Sequence, residues 1–120
     1  MYGLSENIDL SFLRGLEVGQ VAIGTYQIIF GFDKDVRISV ESQFIYFDGQ
    51  HEWIWKPEPG SSQVAAQTLK LLGATVEKFN GQADGTLDLL FSNGCRLTIL
   101  DSSSEYQSYD ITRPGQTIVV

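Results

Sequence analysis

A recurring pattern constrains this chain most. Gly15, Val18 and Val21 lead into Ile28-Ile29-Phe30 and then Val36-Arg37-Ile38-Ser39-Val40. Gly73, Val76 and Phe79 lead into Leu89-Leu90-Phe91 and then Cys95-Arg96-Leu97-Thr98-Ile99. Both stretches are rich in β-branched, aliphatic and aromatic residues broken by polar turns, which is a pattern for strands. Alternation alone makes any two amphipathic hairpins agree in part. The matched glycines and the Arg37/Arg96 pair go beyond that agreement, although the match needs a longer second loop before Leu89 and a shorter second turn. The pattern predicts two related antiparallel β units, pseudo-repeats of about 8–56 and 73–120, as an internal duplication would produce. A pseudo-twofold would relate them within one domain spanning 1–120, a length that suits one domain.

The strands can be placed by parity. Arg37, Ser39 and Glu41 alternate with Val36, Ile38 and Val40, so the second set faces inward. Phe44-Ile45-Tyr46-Phe47 runs extended and stops at the turn signal Asp48-Gly49. His51 to Lys56 is a further strand. Residues 7–14 suit a short strand or one helical turn closed by Gly15. Asn93-Gly94 suits a two-residue type I′ hairpin, because both residues tolerate positive φ. That turn sets Leu90 opposite Leu97 and Leu89 opposite Thr98, and leaves apolar residues on both faces. Tyr106 to Ile111 and Thr117 to Val120 read as closing strands.

One helix is expected, over about 62–72. Ser61 or Ser62 can cap it. Val64, Ala65, Thr68, Leu69 and Leu72 form one apolar stripe, and Gly73 stands where a left-handed residue ends a helix. The fold class is therefore α+β, β-rich, with the helix joining the two β units.

Charge narrows the partners. With 15 Asp and Glu against 8 Lys and Arg, the net charge is −7. An acidic surface repels phosphate backbones and anionic membranes, which speaks against nucleic acid and membrane as partners. It attracts a basic protein. Acidity also serves plain solubility. The one cysteine, Cys95, excludes an intrachain disulfide. With a lone His51 it cannot build a His/Cys zinc site, and no metal or cofactor is expected. The N-terminal residues show neither the basic nor the apolar region of a signal peptide, so the expected compartment is the cytoplasm.

Chemistry is hard to find. No Gly-x-Ser-x-Gly elbow is present, and Cys95 follows a hairpin turn rather than opening a helix. Glu41, Glu52, Asp101, Glu105 and Asp110 are carboxylates that nothing in the sequence draws into one cleft, and each reads as part of a solvated face. No phosphate loop or calcium loop appears. The segment His51 to Trp55 is more informative: in a strand His51, Trp53 and Trp55 share one face. Such a face lines a pocket or an interface, or else closes the core. Tyr106 and Tyr109 could join it.

The runs Ile8-Asp9-Leu10-Ser11-Phe12-Leu13, Gly19-Gln20-Val21 and Ile38-Ser39-Val40-Glu41-Ser42 carry a resemblance. So do Leu71-Leu72-Gly73, Asp84-Gly85-Thr86-Leu87, Phe91-Ser92-Asn93-Gly94 and Tyr106-Gln107-Ser108-Tyr109-Asp110-Ile111. Together they resemble a family of small bacterial proteins of unknown function, over nearly the whole chain. The resemblance implies a cytoplasmic bacterial domain without an assigned reaction. Members of such families can lie beside toxin genes, which would suggest immunity proteins. It carries over no functional residue.

Three functions follow as expectations. The first is a non-catalytic acidic interaction protein, of the immunity or inhibitor type, for a basic partner. The second is a small-ligand binding module using Trp53, Trp55, His51, Tyr106 and Tyr109. The third is an enzyme using Glu52 or Glu105 with His51, and the lack of any catalytic motif ranks it last. The strand Thr117 to Val120 leaves a homodimer open.

Overall fold

The structure, a computed structural model, describes residues 3–5, 8–103 and 107–120. Ten strands form in chain order: β1 Val18–Ile23, β2 Ile28–Phe32, β3 Arg37–Val40, β4 Phe44–Phe47, β5 Glu52–Trp55, β6 Val76–Gly81, β7 Leu87–Phe91, β8 Arg96–Ile99, β9 Tyr109–Arg113 and β10 Gln116–Val119. They pair into two antiparallel five-stranded sheets, with orders β1-β2-β3-β9-β10 and β5-β4-β8-β7-β6. The fold is β-rich α+β, as the pattern predicts.

The halves do not keep to themselves. Residues 41–43 carry the chain from β3 in the first sheet to β4, which pairs with β8 in the second. The path out of β8 does the reverse, so that β9 pairs with β3. Each three-stranded meander is thus completed by a hairpin from the other half. Each sheet therefore draws strands from both stretches, 8–56 and 73–120.

The geometries of the two meanders correspond closely. β1 skips Gly19 between Val18 and Gln20, and β6 skips Glu77 between Val76 and Lys78. The sheets meet where Glu17 pairs with Thr75 in an antiparallel bridge. Gly15 N–H donates to the Val76 carbonyl at 2.8 Å, and Gly73 N–H donates to the Val18 carbonyl at 2.9 Å. Val18 N–H reaches the Ala74 carbonyl and Val76 N–H the Leu16 carbonyl, both at 2.9 Å.

The helix is shorter than its sequence stripe. Ser62–Gln67 is α-helical (α1), and Thr68–Leu71 continues as a 3-10 turn. Three residues per turn instead of 3.6 rotates the later side chains. Leu71 therefore faces the core, while Leu69 and Leu72 are exposed. The Ser61 hydroxyl makes no cap bond, its backbone lying at φ −91°, ψ 1° outside the extended region a cap needs. Gly73 does take positive φ, at +85°. Residues Ser11–Leu13 form a 3-10 turn, the helical alternative for that segment.

The hairpin register also differs from the expected one. Leu89 pairs with Leu97, Leu90 with Arg96 and Asp88 with Thr98. The turn spans three residues, Ser92 to Gly94, since Phe91 N–H donates to the Cys95 carbonyl and Gly94 N–H to the Phe91 carbonyl. Of these only Gly94 has positive φ. Asn93 instead spends its side chain on the Cys95 N–H and the Lys70 carbonyl. One extra turn residue moves Leu97 and Ile99 to the face of Leu87, Leu89 and Phe91. All five are buried.

One contiguous core lies between the sheets. Phe30 of the first sheet meets Phe44 of the second edge to face, ring centroids 5.9 Å apart. Buried polar groups there are paired. Tyr46 O–H donates to Cys95 Sγ, and Tyr109 O–H donates to the Gly85 carbonyl at 2.7 Å. Burial pushes both phenols well above the ordinary tyrosine range, and for Tyr46 the Cys95 contact adds to it. Asp101, expected on a solvated face, is buried. Its carboxylate accepts from Ser108 Oγ at 2.6 Å and from Gly3 N–H at 2.8 Å.

Candidate interaction face

The sequence-derived site residues separate. Trp55 is fully buried and stacks on Phe44, centroids 5.2 Å apart and planes 16° off parallel. Tyr109 is fully buried under Gly85. Neither lines a surface, because β5 and β9 turn these side chains toward the core. Trp53 is half-buried beside that core and is held by its indole N–H, which donates to Asp48 at 3.1 Å. His51 is exposed, its ring 6.5 Å from that of Trp53. Tyr106 and Glu105 lie outside the described residues. Glu52 is paired with Phe47 and stands on the other face of β5 from Trp53. His51 and Glu52 are not drawn together as an acid/base pair.

Asp48 organises the turn between β4 and β5. Its carboxylate accepts from the backbone N–H groups of Gln50 and His51 at 2.9 and 2.8 Å, from Trp53, and from Lys70 Nζ at 3.3 Å. These donors, the His51 amide first among them, hold the carboxyl far below the usual range. The ion pair to Lys70 fastens the turn to the 3-10 segment after α1. This is an anchoring role that leaves the carboxylate no free lone pair for a ligand.

The outer face of the second sheet offers more. The register lays two rows across all five strands, Ile54–Ile45–Thr98–Asp88–Asn80 and Glu52–Phe47–Arg96–Leu90–Lys78. Ile54 is 50% exposed and Phe47 36%; Ile45 and Leu90 are half-buried beside them. In the middle, Arg96 Nε pairs with Asp88 at 3.3 Å, and Thr98 Oγ1 donates to the same carboxylate oxygen. Shallow hollows of about 260 and 300 Å³ flank this pair, one toward Lys78 and Leu90, the other toward Phe47 and Glu52.

This face was legible in part. Phe44-Ile45-Tyr46-Phe47 is apolar at both parities, and an uninterrupted apolar strand belongs between two covers. The core covers Phe44 and Tyr46, both fully buried, while Phe47 on the other face stays 36% exposed. The wrong hairpin register hid the rest, by assigning Leu97 to the outer face in place of Arg96.

Among the described residues no group of three or more His, Cys, Asp or Glu side chains comes together to hold a metal, and no helix is long and apolar enough to cross a membrane. A model of a family of unknown function (DUF6188) matches residues 10–120. No curated protein and no solved structure matches the chain.

Proposed function

The chain belongs to a family of unknown function, DUF6188, and we propose that it is a non-catalytic interaction protein that docks a protein partner on the outer face of its second sheet. The observation that carries this reading is the exposure of Phe47 and Ile54 on adjacent strands, in one patch with Ile45 and Leu90. Apolar side chains grouped on one exposed face mark binding surfaces, whereas scattered ones do not.

The partner is basic around an apolar centre. The net charge of −7 steers cations toward the molecule. Four of its eight cations are already engaged: Lys70 and Arg96 are held in ion pairs, while Arg14 and Arg113 lie over the rings of Phe79 and Phe12. Masking of a basic target by such a face is an inhibitor's mode of action, and an immunity role is one form of it.

The test is capture from host lysate at low salt with the wild-type chain and with a Phe47→Ser/Ile54→Ser variant. One stoichiometric basic protein held by the wild type, released by salt and lost by the variant supports the reading. Equal capture by both chains removes the face from consideration.

A further inference from the structure

The two meanders share a scaffold but differ at one equivalent place on their outer faces. In the second, β6, β7 and β8 bring Lys78, Leu90 and Arg96 side by side. There Leu90 fills the middle and Arg96 is neutralised by Asp88. In the first, β1, β2 and β3 bring Gln20, Gly31 and Arg37 to the same positions. Gly31 has no side chain, and Ile29 stands where Asp88 stands in the other sheet. The result is a hollow of about 470 Å³ lined by Gly19, Gln20, Gly31, Phe32, Asp35 and Arg37. A glycine inside a strand marks a place where another group comes close to the backbone.

Its polar groups are uncommitted. Among the described residues the exposed side chains of Arg37 and Asp35 have no ion-pair or hydrogen-bond partner, in contrast to that of Arg96. Asp35 is brought to the rim by the hairpin turn between β2 and β3. Lys34 and Asp35 take φ of +58° and +59°, whereas the matching turn in the other half has a positive φ only at Gly94.

We infer that this hollow is a small-molecule site for a carboxylate that carries a neighbouring amine or hydroxyl, of the amino-acid or hydroxy-acid class. The Arg37 guanidinium is a planar fork that suits a carboxylate. Asp35 accepts from the ligand's amine or hydroxyl, and the Gln20 amide supplies a further donor over the Gly31 floor. The missing side chain at Gly31 leaves room for a ligand of a few carbons. This site is on the opposite sheet from the proposed docking face, so the two stand or fall separately.

Amide chemical-shift titration of the ¹⁵N-labelled full chain tests it, with glycine, glycolate and inorganic phosphate as probes. The expected result is saturable shifts at Gly19, Gln20, Gly31 and Arg37 with glycine or glycolate, weakened at least about tenfold in Arg37→Gln. Gly31→Leu, which copies Leu90, should abolish them while the melting transition shows the fold intact. The atoms nearest a Cβ at Gly31 belong to the Gln20 side chain and carbonyl, at 3.4 Å and beyond, so a Cβ there is in ordinary contact. Saturation by phosphate alone would overturn the assigned ligand class. Absence of saturation with any probe, or shifts that survive Arg37→Gln, would overturn the site.

Discussion

Glu17 and Thr75 face each other across an antiparallel bridge that joins the edge of one sheet to the edge of the other. Gly15 lies two residues before Glu17, and Gly73 two before Thr75. Both have φ of +85°, both donate across the junction, and neither has an atom within 4 Å of where a Cβ would stand. Each alanine substitution therefore costs only the backbone term, about 1 kcal/mol. Urea unfolding of Gly15→Ala and Gly73→Ala should show equal losses; a clear inequality would mean that the junction is not balanced.

Gly85 makes a contrast with Gly94. Both have positive φ, but a Cβ on Gly85 would run into the buried Asp101 carboxylate, whereas the space around Gly94 is open. Gly94→Ala should cost about 1 kcal/mol, and Gly85→Ala more than about 2 kcal/mol because strain and overpacking add. Thermal melts of the two variants decide it.

The Asp48 turn sets a pH dependence. Its donors depress the carboxyl in the folded state below the unfolded value of about 4. Stability from this group is thus fully present above the unfolded value and is lost as pH falls toward the folded one. Between pH 7 and pH 3 the wild-type melting temperature should fall more steeply than that of Asp48→Asn, which is the less stable of the two at pH 7. Parallel curves would show that the carboxylate charge is not what anchors the turn.

Trp55 and Phe47 separate core from face. Trp55→Ala empties the space stacked on Phe44 and should cost about 3–5 kcal/mol. Phe47→Ser and Ile54→Ser change positions that are 36% and 50% exposed and should each cost less than about 2 kcal/mol. A large loss of stability in either serine variant would place that side chain in the core and withdraw it from the docking face.

Lys34 carries backbone strain that glycine relieves. Lys34→Gly should raise stability by up to about 1 kcal/mol, seen as a higher urea midpoint with unchanged slope. A loss would mean that the Lys34 side chain stabilises the turn.

Alternation along Val36 to Val40 and the run Phe44 to Phe47 was enough to place strands, because a strand buries every second residue whatever lies beside it. Turn chemistry located Asp48-Gly49, and the helix stripe ended at Gly73 as its positive φ required. The neighbour of each strand was not legible. Leu97 suits the core equally well opposite Leu89 or opposite Leu90 until the turn length is known, and one added residue in that turn exchanged the faces. The partnering of β4 with β8 and of β3 with β9 was decided only when both sheets closed over one core. The same closure buried Trp55 and Tyr109, left Phe47 and Ile54 outside, and opened the hollow at Gly31 where Leu90 fills its counterpart. Local sequence dictates which side of a strand is apolar; which surface that side meets depends on contacts between residues far apart in the chain, whose energies are settled together.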